Sequence, residues 1–204
     1  KGGLSINAVT GSIVGRQCQT CTSDSTYTTA GSCPNSSGVG VTINALDDAS
    51  FNYGAAAYCV DASDPTPTIT GLGGGTFSST GGLNINAGTG AIDVSASTPG
   101  TYTVTYTTAG SCPNSSGVGV TINALDDASF NYGAAAYCLD DADPTPTITG
   151  LAGGSFLASA GLTVNNVTGA IDVSTITPGS YTVTYSTFGA CANSSSVSVI
   201  INAL

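Results

Sequence analysis

Apolar and polar positions alternate with period two along much of the chain, the pattern of half-buried β-strands. Tyr102, Val104 and Tyr106 alternate with Thr103 and Thr105. Val118, Val120 and Ile122 alternate with Gly119 and Thr121. Shorter runs at 50–53, 56–59, 66–70, 76–79, 83–86 and 91–95 predict further strands. Turn formers separate them: Gly54, Asp64-Pro65, Gly73-Gly74-Gly75, Gly81-Gly82, Gly88-Thr89-Gly90, Pro99-Gly100 and Pro113-Asn114. No segment of helical length carries an apolar stripe of period 3.6 flanked by caps. Short strands at roughly ten-residue spacing are the pattern of a β-sandwich.

The same pattern recurs at a fixed interval. DDASFNYGAAAYC stands at 47–59 and again at 126–138, an offset of 79 residues. That offset also maps Cys33 onto Cys112 and Cys191, and INAL at 43–46 onto 122–125 and 201–204. The chain therefore divides into residues 47–125 and 126–204, two complete units differing at 23 of 79 positions, preceded by 1–46, which aligns with the C-terminal part of a unit. The expected fold class is all-β: tandem Ig-like β-sandwich repeats of 79 residues, end to end, with no linker between Leu125 and Asp126. A start within a repeat, without Met or signal peptide, reads as a piece of a longer exported chain. Residues 14–25 break the repeat: VGRQCQTCTSDS replaces DVSASTPGTYTV and brings in Arg16, Cys18 and Cys21.

Composition narrows the chemistry. Twelve acidic residues, all Asp, stand against Lys1 and Arg16, for a net charge of −10. Phosphates cannot be neutralised by two cations, so nucleic-acid binding is excluded. Without His there is no imidazole base and no Ser/His triad. No apolar run reaches the roughly 18 residues of a membrane-spanning helix. Paired carboxylates suit a glycosidase, but here they recur in every unit, within turns, and Trp is absent. No enzyme and no catalytic residue is expected.

A sandwich this small needs staples. Each complete unit has two cysteines, which argues for one disulfide per unit: Cys59 with Cys112, and Cys138 with Cys191. Each bridge closes a loop of 54 residues, about 4 kcal/mol of chain entropy. By the same rule Cys33 pairs with a cysteine upstream of Lys1, unless Cys18 or Cys21 captures it. Tyr102 and Tyr181 follow Pro-Gly-Thr and Pro-Gly-Ser and open a strand. That position suits a tyrosine corner and equally a plain core aromatic.

The stretch GLNINAGTGAIDVSASTPGTYTVTYTTAG at 82–110 resembles the C-terminal half of a bacterial Ig-like repeat, with its Gly-Leu strand, T-G-x-I turn and P-G-T-Y-x-V. The whole unit, with FxYxxxxYC and DPTPTITG, is similar to tandem repeats of giant Bacteroidota surface proteins; the likeness covers nearly all of the chain except 14–25. The resemblance implies export by type IX secretion to the bacterial cell surface. It further implies a structural role in an extracellular fibre or adhesin, for attachment, gliding or cell–cell contact such as prey capture. The implied partners are other copies of the chain or its flanking repeats, and surface glycans come second. One alternative is a self-assembling filament subunit that packs laterally or donates strands. A glycan-binding module is another, weakened by the absence of Trp.

Cofactors are not expected, with one exception. Asp47, Asp48, Asp126 and Asp127 follow INAL at unit boundaries, where carboxylates can hold calcium. Asp61 and Asp64, with Asp140, Asp141 and Asp143, follow the first cysteine of each unit, and an Asp before Pro is also an ordinary turn residue.

Overall fold

A computed structural model describes residues 4–15 and 21–204. The described residues form strands and turns, without a helix. The first segment holds β1 (Leu4–Ile6), β2 (Ile13–Gly15), β3 (Cys21–Thr28) and β4 (Ser36–Ile43), paired antiparallel as β1–β2 and β3–β4. Then follow β5 (Phe51–Asn52), β6 (Ala57–Cys59), β7 (Thr68–Ile69), β8 (Thr76–Ser79), β9 (Asn84–Ile85), β10 (Ile92–Asp93), β11 (Gly100–Thr107) and β12 (Ser115–Asn123). The second copy supplies β13 (Phe130–Asn131), β14 (Ala136–Cys138), β15 (Thr147–Ile148), β16 (Ser155–Ala158), β17 (Gly179–Ser186) and β18 (Ser194–Asn202). An isolated bridge, Val164 to Ile171, stands where the first copy has β9–β10.

The topology is that of an Ig-like sandwich. One sheet runs β6-β12-β11-β8, and short ribbons β5–β7 and β9–β10 make the opposite layer. β6 lies parallel to β12, while the other neighbours are antiparallel. The second copy repeats the order as β14-β18-β17-β16 with β13–β15. The pleat explains which residues go inside. Tyr102, Val104 and Tyr106 of β11 and Val120 and Ile122 of β12 point to one face and are buried; the intervening Thr101 and Thr103 are exposed.

Each layer pair encloses its own core. Phe51, Phe77 and Tyr106 meet with centroids 5.5, 5.9 and 4.6 Å apart, above Ile92, Val94, Val104, Val120 and Ile122. Phe130, Phe156 and Tyr185 repeat the triangle at 5.4, 5.9 and 4.7 Å. Buried phenols need partners, and these have them. Tyr53 Oη donates to the Gly90 carbonyl at 2.6 Å; Tyr106 Oη donates to Leu72 O at 2.7 Å and accepts from Gly75 N at 2.9 Å. Gly90 has φ +72°, and a Cβ there would press on Pro67 and Phe77. Only glycine closes that turn against the core.

The first segment shows what flanking strands contribute. Tyr27 and Val39, the counterparts of Tyr106 and Val118, are 73% and 63% exposed. Among the described residues β3 and β4 pair only with each other, whereas β8 and β6 flank the corresponding β11 and β12.

Candidate functional site

The chemistry-bearing residues of this chain are its aspartates and cysteines, and the fold gathers both near the ends of the sandwiches. Asp47 and Asp126 open the two complete copies. Asp126 N donates to the Cys191 carbonyl at 2.8 Å, and Asn193 Nδ2 donates to the Asp126 carbonyl at 3.0 Å. The hydroxyl of Thr187, a buried residue at the end of β17, donates to Asp126 Oδ2 at 2.9 Å and accepts from Asn193 N at 2.8 Å. Asp47, Thr108, Cys112 and Asn114 repeat every one of these bonds. A Cβ at Gly110 or Gly189 would overlap the Asp47 or Asp126 carboxylate, so these turns stay bare. The first Asp of each copy thus pins the turn between the last two long strands, and that turn carries a cysteine.

The other aspartates serve neighbouring turns. Asp48 Oδ1 accepts from Ser50 N and Ser50 Oγ, and Asp127 Oδ1 accepts from Ser129 N. These bonds to serine hold both carboxyls below their ordinary pKa. Asp64 Oδ1 accepts from Val94 N at 3.0 Å, and Asp143 Oδ1 from Val173 N at 3.2 Å, tying the loops after Cys59 and Cys138 to the opposite layer. Asp141 Oδ2 accepts from Cys138 N at 2.7 Å.

Calcium takes roughly six to eight oxygens. Asp47, Asp48, Asp126 and Asp127 do not build such a shell: their oxygens face protein N–H and O–H donors. Among the described residues no group of three or more His, Cys, Asp or Glu is placed to hold a metal ion.

The cysteine pairing corrects the expectation from the sequence. Cys59 is bonded to Cys191, with S–S 1.99 Å, Cα atoms 5.6 Å apart and 132 residues between them. It is not bonded to Cys112, and Cys138 is not bonded to Cys191. Cys112 and Cys138 carry free, half-buried thiols, and Cys33 a free, exposed one. The reason is the direction of β12. That strand leads from Ser115, just past Cys112, to Asn123, the register partner of Cys59. Eight strand steps of about 3.3 Å put roughly 26 Å between the two ends, against a limit of about 7 Å between the Cα atoms of a disulfide. Cys59 lies at the end where the first copy runs into the second. There the turn of Cys191, fixed to Asp126, comes within bonding distance. Cys18 lies outside the described residues.

Tyr102 Oη donates to Thr98 O at 2.5 Å, and Tyr181 Oη to Thr177 O at 2.6 Å. Each phenol thereby ties the connection before its strand to the sheet. Tyr53 and Tyr132 were not singled out by sequence reasoning, yet burial pushes both phenols up to about 12. Their repeat in FNYG before the first cysteine, two residues from a core Phe on the same strand face, was the available signal.

No helix among the described residues is long and apolar enough to cross a membrane. No family model matches the chain, and no curated protein matches it. Solved structures similar to it are cadherin ectodomains. Mouse cadherin-23 EC22-24 is 14% identical, with 100% of this chain and 83% of that chain covered and a TM-score of 0.33. Mouse clustered PcdhgC3 EC1-3 is 11% identical, covering 98% and 85%, at 0.35. Drosophila N-cadherin EC1-4 is 13% identical, covering 98% and 63%, at 0.39. At these identities and TM-scores no ligand, partner or activity carries over to this chain.

Proposed function

We propose that the chain is a structural segment of an extracellular bacterial surface fibre or adhesin, built from Ig-like units at 47–125 and 126–204 behind the C-terminal part of another at 1–46. Its work is mechanical: it holds a distal site away from the cell, or forms the shaft of a filament. The observation that carries this reading is the Cys59–Cys191 bond between successive copies. A disulfide requires an oxidising compartment. A bond placed across a junction, rather than inside a core, resists separation of the two sandwiches along the chain. The aspartates fit the same reading, since their hydrogen bonds shape turns and leave no convergent group for catalysis. The sequence likeness to Bacteroidota repeats supports export by the type IX route and a place at the cell surface.

Immunogold cryo-electron tomography on intact source cells, with antibody raised against residues 47–204, tests this. Label along extracellular fibres is the expected result. Label confined to the cytoplasm overturns it. Filaments of several laterally packed chains would replace the single-file stalk with the self-assembling subunit.

A further inference from the structure

We propose that Cys112 and Cys138 are the two halves of further junction staples. Each bonds the register-equivalent cysteine of an adjoining repeat, so that an array is wired by disulfides from every unit to the next.

The repeat register maps Cys138 onto Cys59 and Cys112 onto Cys191, the two residues that are bonded to each other. The surroundings correspond as well as the sequence does. Cys138 ends β14 opposite Asn202, as Cys59 ends β6 opposite Asn123. The Cys112 carbonyl accepts from Asp47 N at 2.8 Å, as the Cys191 carbonyl accepts from Asp126 N at 2.8 Å. Cys112 therefore faces the leading end of its sandwich and Cys138 the trailing end. They are held in the two geometries that meet at the formed junction. Exposure agrees: Cys191, with a neighbour bonded to it, is 4% exposed, whereas Cys112 is only half-buried.

Each new bond forms by thiol–disulfide exchange. The two Sγ–H groups lose two protons and two electrons, and an incoming disulfide of the glutathione or oxidoreductase class takes them up and leaves as two thiols. No residue of the sandwich has to move far, because both turns are already fixed by the Asp–Thr–Asn bonds.

The wiring determines how tension travels. A staple skips 132 residues, and from the turn cysteine of one unit to the strand-end cysteine of the next is 26 residues, as from Cys112 to Cys138. A taut path therefore alternates staple and 26-residue segment, advancing two repeats each time. A second path, offset by one repeat, runs beside it. Fully extended, 26 residues reach about 90 Å, where two unstapled repeats would reach about 550 Å. Such an array keeps its length even when its sandwiches open.

The test lengthens the full chain by one further copy of residues 126–204 carrying Ala192→Pro, the residue already present at Pro113, as a mass marker. The chain is refolded with oxidised and reduced glutathione, alkylated and digested without reduction. A peptide joining Cys138 to the marked turn, beside the Cys59–Cys191 peptide, is the expected result. Alkylated Cys138 in a digest that contains the Cys59–Cys191 peptide, or Cys138 bonded within its own unit, overturns the proposal. A second arm prepends a copy of residues 47–79 carrying Val60→Leu to Lys1, which continues the repeat in register. It expects Cys112 bonded to the prepended cysteine, and alkylated Cys112 there overturns the proposal equally. Neither arm depends on where the fibre resides, so its result stands apart from the tomography.

Discussion

Thr187 and Asp126 stand 61 residues apart in sequence, yet the buried hydroxyl of one donates to the carboxylate of the other at 2.9 Å. The bond joins the first residue of a sandwich to the end of its penultimate long strand. It also orients the turn that delivers Cys191 to Cys59. Thr108 and Asp47 make the same bond at 3.0 Å in the preceding copy, where the turn cysteine is free. The chain thus contains one pin with a staple attached and one without, which permits a controlled comparison.

Thr187→Val keeps the shape and removes the hydroxyl. Asn193 N and the Asp126 carboxylate lose a buried partner, at a cost of about 1–3 kcal/mol. Thr108→Val is expected to cost the same. The two differ in reoxidation. From the reduced, unfolded chain, Thr187→Val should slow formation of the Cys59–Cys191 bond several-fold, because the turn that carries Cys191 is no longer held. Thr108→Val should leave that rate as it was. Equal slowing in both variants, followed by quenched alkylation, would show that the pin does not position the cysteine.

Tyr102 and Tyr181 each donate to a backbone carbonyl four residues earlier. Replacing either by Phe retains most of the packing and deletes one hydrogen bond, with an expected loss of about 0.5–1.5 kcal/mol. Tyr53→Phe is expected to cost more, about 1–3 kcal/mol, because it strands the Gly90 carbonyl in a buried site. Urea unfolding of the three single variants, compared with the parent, ranks them.

Much of this architecture was legible. Strand positions followed from period-two patterning because one face of each long strand is buried, as Tyr102, Val104 and Tyr106 are. The all-β Ig-like class followed from the number and spacing of those strands. The cysteine pairing did not. Bonds within a unit and bonds across a junction both give one bridge per repeat, so counting cysteines cannot separate them. The deciding fact is that β6 runs parallel to β12, which places Cys59 and Cys112 at opposite ends. Pairing direction is a tertiary property that the local pattern does not carry. The junction aspartates were misleading for a related reason: at the sequence level a carboxylate that accepts from a buried threonine looks like one that awaits a cation.

Gly90 combines φ +72° with a site where a Cβ would meet Pro67 and Phe77. Gly90→Ala adds left-handed strain of about 1–2 kcal/mol to overpacking of about 1–3 kcal/mol. Gly88→Ala, two residues earlier, meets only the Asn86 side chain at an ordinary distance and should cost little. Thermal unfolding of the pair separates a turn that requires glycine from one that merely contains it.

Stability should fall at both extremes of pH, for opposite reasons. Asp48, Asp93 and Asp127 are held below their ordinary 3.8 by hydrogen bonds to serine and to backbone N–H groups. In the unfolded chain they bind protons first, so stability is full above about pH 4 and is lost as pH falls through the lower folded values. Tyr53 and Tyr132 are raised from 10.0 to about 12 by burial. The unfolded phenols ionise first, so their contribution is complete below pH 10 and declines as pH rises toward 12. Denaturant midpoints between pH 2 and 12 should trace this plateau (ranges set by the quoted values). Tyr53→Phe with Tyr132→Phe should flatten the alkaline limb only. A double variant that keeps the alkaline decline would assign it to other groups.

Tension applied between the chain ends should reveal the Cys59–Cys191 bond directly. Residues 60–190 lie inside its covalent loop, so force enters at Cys59, crosses to Cys191 and bypasses both the β11–β12 and the β16–β17 pairs. When the chain is pulled by end tags that contain no thiol, full extension should fall short of the unstapled contour by roughly 450 Å, the reach of the 132-residue loop. A reductant, or Cys59→Ser, should restore that length and add rupture events from the shielded strands. The same loop constrains the unfolded state by about 5 kcal/mol in the chain-entropy treatment, so Cys59→Ser should also lower the denaturation midpoint in bulk. Equal contour lengths for the oxidised parent and Cys59→Ser would mean that the staple does not carry load.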